Sequence, residues 1–369
     1  MTGHATPRHR GTAFEALTRP ITIGSLCSGV GGLELGVMAA LSGCQLSWCS
    51  DIDSQAVKVL SARFADVPNL GDIRALDWTR LCRVEVLTTG FPCQDISAAG
   101  CRAGVENGDR SGLWDVLGVV RVVRPRLLVV ENVAALRWRG GGLGRVLGDL
   151  AATGYDSSWR SVCADDVGAP HRRERVFLLA WPRSEGPAEL AADADRARRH
   201  IKRPERVEQN RWALPTGSDP RSGGCAGLPA ERMIGKESAR CGTADFRWGV
   251  HGAALARWER ALGRRAPRPL LAGRRGQPVL APEFVEFLMG LPVGWVTGLA
   301  ISRTAQLRLL GNGVVPAQAA HAVALLLREA TSISSAAEVH AGASSRKGAG
   351  WDVRAAARSG HGLIGRGVA

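Results

Sequence analysis

The sequence predicts an α/β protein: a doubly wound, mostly parallel sheet with a smaller loop-rich region inserted late in the chain. Three observations predict it. Short apolar runs alternate with longer amphipathic stretches from Ile21 to about residue 182, the pattern of strands feeding crossover helices. A glycine-rich turn, Ser28-Gly29-Val30-Gly31-Gly32, directly follows the first apolar run. After Trp181-Pro182 the alternation stops, and Arg, Gly, Pro and Ala dominate to about residue 280.

In chain order, residues 1–19 carry no period and read as a flexible tail. Ile21–Leu26, Gln45–Cys49, Val84–Thr88, Arg126–Val130 and Val176–Ala180 read as buried strands. Leu33–Ala40, Ser54–Phe64 and Gly112–Val123 read as the helices between them, so 20–183 forms the first domain. Residues 184–280 hold turn signals such as Gly217-Ser218-Asp219-Pro220, but Trp212, Phe246, Trp248 and Trp258 argue that part of this region folds. Helical text returns at Pro282–Met289 and Pro316–Arg328, so 281–330 rejoins the first domain. Ser, Ala, Gly and Arg without period mark 331–369 as a disordered tail.

Composition narrows the class. The chain has 369 residues, 45% hydrophobic and 22% charged, as in an ordinary globular protein. Its apolar region Leu113 to Val133 is broken by Asp115, Arg121, Arg124 and Arg126, so no membrane span is expected. No apolar run follows the N-terminal basic residues, so no secretory signal is expected either. Nine scattered cysteines without a CxxC pair argue against a disulfide framework and a zinc site, and for a reducing cytoplasm. The net charge is +14, of which +8 lies in 184–280, the footprint of a polyanion-binding segment. With only four lysines among the 48 basic residues, coding bias toward Arg is the competing explanation.

Four places carry candidate chemistry. The glycine-rich turn lets a ligand approach backbone N–H groups at a helix start, and Asp51 ends the next strand, where a carboxylate can accept from ribose hydroxyls. Glu34 stands where a dinucleotide fingerprint needs its third glycine; this disfavours a pyrophosphate and favours an adenosine ligand without phosphates, S-adenosylmethionine over NAD. A plain tight turn is the bland alternative. Gly90-Phe91-Pro92-Cys93-Gln94 places a cysteine after a parallel strand, facing the crevice, although a lone cysteine is more often a small buried hydrophobe. Glu131-Asn132-Val133 sets a carboxylate at another strand end, costly to bury unless paired or protonated. Arg172-Arg173-Glu174-Arg175 opens the last strand, as a solvated face or as a contact to base edges and phosphates.

Taken in order, Ser25-Leu26-Cys27-Ser28-Gly29-Val30-Gly31-Gly32, Gly90–Gln94, Glu131-Asn132-Val133, Arg173-Glu174-Arg175 and Gly311-Asn312-Gly313-Val314 resemble the cytosine-C5 DNA methyltransferase family, as does 280–292. The resemblance spans about residues 20 to 328. It implies a Rossmann-like methyltransferase domain with 184–280 as target-recognition region. It also implies that Cys93 attacks cytosine C6, that Glu131 engages N3 and the exocyclic amine, and that Arg175 engages O2. Arg173 would support Glu131 and the cysteine loop. Leu26, Ser28, Gly29, Gly31, Asp51, Ile52, Asp72, Ile73, Leu113, Asn312 and Val314 fall on positions lining the pocket for S-adenosylmethionine, and no metal is implied. Three residues depart from the family pattern: Cys27 for Phe, His171 for Gln and Gly313 for Ser.

The implied substrate is a cytosine flipped out of double-stranded DNA. The Gly-, Ala- and polar-rich stretch 95–110 reads as the loop that closes over it, with an ordinary surface loop as the alternative. A cytoplasmic monomer is expected, with a cognate restriction endonuclease as candidate partner. An RNA cytosine-C5 methyltransferase, a catalytically silent nucleic-acid-binding homologue and an NAD-binding oxidoreductase are the competing classes. Intact Cys93, Glu131, Arg173 and Arg175 weigh against the silent homologue, and Glu34 against the oxidoreductase.

Overall fold

In the computed structural model, the described residues are 20–41, 43–91, 113–139, 141–184, 186, 190, 192–193, 248–273 and 276–347. The N-terminal tail, Cys93 with the 95–110 loop, most of 184–280 and residues beyond 347 lie outside them.

Six strands form one sheet in the order β2-β1-β3-β4-β6-β5. They are β1 (Ile21–Leu26), β2 (Cys44–Ser50), β3 (Val86–Thr89), β4 (Leu127–Val133), β5 (Tyr155–Val162) and β6 (Arg175–Pro182). The first four pair in parallel, and β6 runs antiparallel between β4 and β5. The mostly parallel, doubly wound sheet expected from the alternation is the one observed. Its central strands are buried and mostly apolar because both faces are covered, and polar residues such as Ser25, Thr88 and Glu131 gather toward their C-terminal ends. β5 went unread in the sequence because it is an edge strand, burying only Tyr155 and Val162.

Helices α1 (Gly32–Ala40), α2 (Ser54–Arg63), α3 (Leu113–Val123) and α4 (Leu143–Ala152) accompany these strands. Asp53 caps α2 by accepting from the Gln55 N–H at 2.9 Å. The later chain supplies α5 (Gly252–Leu262), a short hairpin β7 (Leu270–Ala272) and β8 (Pro278–Leu280), then α6 (Pro282–Leu288), α7 (Arg303–Asn312) and α8 (Pro316–Lys347).

Helix α8 lies against α1, and the approach is close. A Cβ on Gly36 would stand 2.5 Å from the Ala319 Cβ and 2.7 Å from the Pro316 carbonyl oxygen, so only glycine fits. The stretch Arg303–Thr331 holds a window long and apolar enough to cross a membrane, yet 67% of that window is buried in the protein, as in a core helix. Helix α8 also continues to Lys347, so residue 330 is not a boundary of secondary structure. The Ala- and Ser-rich text beyond it lacks an apolar period but contains no proline to stop a helix.

One apolar cluster lies with α1 and α8 and a second with α3 and α4. A third joins Val30 and Leu35 to Trp258, Phe284, Phe287 and Trp295 of the later chain. This third cluster ties the C-terminal segments to the glycine-rich turn.

Candidate active site

The C-terminal ends of β1 to β4 open on one edge of the sheet, where such folds bind ligands. Leaving β1, the chain turns through Cys27 at φ 53°, Gly29 at 57° and Gly31 at 80°. Asp51, just past β2, holds this turn: its Oδ2 accepts the Gly29 N–H at 2.7 Å and its Oδ1 the Asp53 N–H at 2.8 Å. Burial pushes the Asp51 carboxyl above its ordinary range against these bonds. The space above Gly29 is open, and Ile52 beside it is 75% exposed.

Glu34 lies under the turn, 1% exposed, and its Oε1 accepts from Ser25 Oγ and Thr88 Oγ1, both at 2.7 Å. Burial raises its pKa. The other oxygen, Oε2, has no partner among the described residues. Ser28 turns inward, its Oγ 2.6 Å from Ser25 Oγ, and Leu26 is fully buried beside Trp48 and Leu87. These two expected pocket residues therefore build the floor of the site. Asp72 is exposed, Ile73 is half-buried and its carbonyl accepts from the Trp78 indole at 2.9 Å. Leu113 opens α3.

Glu131 sits near the end of β4, 7% exposed, with its Oε1 3.1 Å from Arg175 Nε. In the antiparallel register Glu131 faces Phe177 and Val133 faces Arg175, so the pair is a same-face diagonal across β4 and β6. Burial raises the Glu131 pKa, opposed by Arg175 and then Arg173. A Cβ on Gly90 would be 3.5 Å from Glu131 Oε2, which brings the end of β3 onto the carboxylate. Asn132, 3% exposed, donates from Nδ2 to the Phe91 carbonyl at 3.2 Å. The chain entering the cysteine segment is thereby tied to the residue beside Glu131.

Arg173 acts on Glu131 through its charge and bonds elsewhere. Its Nη2 donates to the carbonyls of Gly311 at 2.8 Å and Gly313 at 2.5 Å, so it grips the turn between α7 and α8 instead of bonding Glu131. Burial and the neighbouring Arg175 lower its pKa to about 9. On that turn, Asn312 is exposed and Val314 is 8% exposed. A Cβ on Gly32 would meet the Val314 carbonyl oxygen at 2.3 Å, so the second turn is pressed onto the first.

The family model described as C-5 cytosine-specific DNA methylase matches residues 21–217, more than half of the chain. The chain belongs to that family. Membership carries the enzyme class, methylation of cytosine in DNA. Among relatives, the Type II methyltransferase M.BsuFI of Bacillus subtilis is 27% identical over 305 residues, covering 82% of this chain and 71% of that protein. M2.BsuMI of Bacillus subtilis (strain 168) is 37% identical over 163 residues, covering 42% of this chain and 41% of that one. M.NlaX of Neisseria lactamica is 30% identical over 158 residues, covering 42% and 50%. The match thus spans half or less of the last two. In structure, the crystal structure of S. pombe Dnmt2 methyltransferase superposes with a TM-score of 0.52 at 16% identity, over 84% of this chain and 99% of that one, a likeness of fold.

The three departures from the C-5 cytosine methylase pattern now have physical readings. Burial, aided by Asp51, pushes the Cys27 thiol up to about 12, so it stays a neutral thiol. His171 Nε2 lies 2.9 Å from the Leu288 carbonyl, and burial lowers its pKa to about 4, so a neutral ring donates to the end of α6. A Cβ on Gly313 would stand 3.2 Å from Val30 Cγ2 and 3.3 Å from the Leu309 carbonyl oxygen, so glycine relieves a tight contact between the two turns.

Sequence reasoning missed what locks these turns together. Trp295 donates from its indole to the Val30 carbonyl at 2.8 Å. Glu286, 2% exposed, accepts the N–H groups of Gly294, Val296 and Thr297 at 2.8, 2.6 and 3.0 Å, and the Thr297 hydroxyl at 2.9 Å. The available signal was a carboxylate inside the otherwise apolar Phe284–Met289 run.

Proposed function

We propose that this chain transfers a methyl group from S-adenosylmethionine to C5 of a cytosine flipped out of a specific duplex DNA sequence, through a covalent bond from Cys93 to C6. The observation that carries this reading is the buried Glu131–Arg175 pair beside Gly90, with Asn132 holding the Phe91 carbonyl. Covalent geometry keeps the Cys93 Cα within about 7 Å of that of Phe91, two residues earlier. Cys93 itself lies outside the described residues.

The residues fit the methyl donor. The open space at Gly29, the Asp51 carboxylate fixed beside it and the exposed side chain of Ile52 suit an adenosine. When bound, the donor supplies an electrophilic methyl. Asp51 would hold the ribose, Ile52, Asp72 and Ile73 the adenine side, and Gly29, Gly31, Asn312 and Val314 the remainder of the pocket.

Cytosine C5 is too poor a nucleophile to take that methyl unaided. Addition of the Cys93 thiolate at C6 makes C5 electron-rich, and a proton held by Glu131 at N3 stabilises the adduct. The raised pKa of Glu131 suits it to hold that proton. Arg175 would donate to O2, while Arg173 would hold the donor turn through its bonds to Gly311 and Gly313. Loss of the C5 proton to a base then lets the cysteine leave.

Target reading falls to 184–280, on its net charge of +8. The working form is a cytoplasmic monomer, acting alone or beside a cognate restriction endonuclease. Transfer of tritiated methyl groups to duplex DNA and to tRNA tests the whole reading. Wild type should label the duplex, and Cys93→Ser should abolish labelling while keeping DNA affinity. Label on tRNA alone, or near-wild-type turnover by the serine variant, would overturn it. Bisulfite sequencing of host DNA then gives the site, and exchange of 184–280 with a relative of different target should move it.

A further inference from the structure

The turn that follows β4 presents Arg137, Trp138 and Arg139 together at the surface. We infer that these three residues form a duplex-DNA contact beside the catalytic carboxylate, the arginines on phosphates flanking the target cytosine and the Trp138 ring packed on the neighbouring nucleotide. The inference rests on the proposed duplex substrate and adds a contact outside 184–280.

The turn is built as a rigid platform. Ala135 and Leu136 are 5% and 1% exposed and anchor it in the core. The Trp138 N–H donates to the Ala135 carbonyl at 3.0 Å, and the Gly141 N–H to the Trp138 carbonyl at 2.7 Å. Gly141 is folded so tightly underneath that a Cβ there would stand 2.1 Å from the Ala135 carbonyl oxygen. Against this buried base, the Trp138 side chain is 50% exposed between two exposed arginines, an amphipathic ring open to a partner.

Its place is fixed from two sides. Along the chain, Trp138 follows Val133, the last residue of β4, by roughly 10 Å of 3₁₀-like turn. Across the sheet, Arg137 Nη2 is 2.6 Å from Glu174 Oε1, and the next residue, Arg175, holds Glu131. The patch therefore adjoins the catalytic ion pair. Glu174 orients Arg137 without removing the positive excess, because Arg139 is exposed and makes no ion pair among the described residues. A polyanion is the partner this charge fits. Arginine forks suit phosphate oxygens, and an indole face suits a base or sugar exposed when its neighbour leaves the stack.

The test uses the full chain, a duplex carrying its methylation site, and the variants Trp138→Ala, Trp138→Phe, Arg139→Ala and Arg139→Lys. Arg139→Ala should lower the log–log salt slope of duplex binding by about 0.9, one phosphate contact, and Arg139→Lys should restore it. Trp138→Ala should weaken duplex binding and raise KM for DNA about five- to tenfold, with Trp138→Phe recovering most of it. The KM for S-adenosylmethionine and the unfolding midpoint should not move. If wild type methylates the duplex while both alanine variants keep its salt slope and KM, the contact is refuted and the function stands. If wild type methylates no duplex, the functional reading fails first. A loss in Trp138→Ala that tracks unfolding and is absent in Trp138→Phe and Arg139→Ala would assign the turn a purely structural role and overturn the inference.

Discussion

Replacing Glu286 should uncouple the C-terminal segments from the glycine-rich turn, and the structure gives the scale. Its two oxygens accept three backbone N–H groups and one hydroxyl inside a nearly sealed pocket. Glu286→Ala strands all three N–H groups, at about 1–3 kcal/mol each. Relaxation and water entry recover part of that, so a loss of about 3–5 kcal/mol is expected. Glu286→Gln keeps one accepting oxygen but turns an NH₂ toward the Gly294 N–H, for a loss of about 1–3 kcal/mol. Urea unfolding with an unchanged m-value reads both. Calorimetric titration with S-adenosylmethionine under native conditions reads the functional arm, because the clamped 294–297 stretch carries Trp295 and its bond to Val30. An alanine variant within about 1 kcal/mol of wild type would refute the energetic reasoning. Wild-type donor affinity in a destabilised variant would refute the link to the site.

Glu131→Gln should lower the rate of methyl transfer about 10²- to 10⁴-fold while duplex affinity stays within a few-fold, since the amide cannot give up a proton at N3; single-turnover kinetics check this. Glu34→Gln should flatten the pH dependence of stability. The raised Glu34 pKa means the folded protein keeps a proton the unfolded chain has lost, so wild-type stability is full below about pH 4.5 and falls as pH rises through the folded value. That fall amounts to at most about 1.4 kcal/mol per unit. Urea midpoints from pH 5 to 8 should decline more steeply in wild type than in the variant, and parallel curves would contradict the assignment. Gly32→Ala drives a methyl into the Val314 carbonyl, 2.3 Å away, and should cost about 1–3 kcal/mol of stability and at least tenfold in donor affinity, read by unfolding and calorimetry.

Much of this was legible in the sequence where chemistry and periodicity coincide. The central strands announced themselves because burial on both faces favours short, mostly apolar runs, and Glu131 stood out as a carboxylate closing such a run. β5 was hidden because Asp156, Ser157, Ser158 and Arg160 suit an edge that faces water on one side. Helix α4 carried a readable stripe at Leu143, Val146, Leu147 and Leu150, obscured by the glycines before it. The Arg173 grip on Gly311 and Gly313 had no sequence signal. It joins residues about 140 positions apart, and nothing local distinguishes an arginine bound for a carbonyl from one bound for a carboxylate.

The press of Val314 and Trp295 onto the turn at 28–32 has a consequence for biosynthesis. Chain growth delivers the first half of the donor pocket long before the second. At roughly 5–20 residues per second, the glycine turn waits on the order of 15–60 s for residues 295–314 to be made. During that interval the nascent sheet has no lid on its Val30 edge, and donor binding can add nothing to its stability. The glycine turn thus gains its second half late in synthesis. In a cell that also made a nuclease of matching specificity, protection of the chromosome would lag translation of this chain by that closing step.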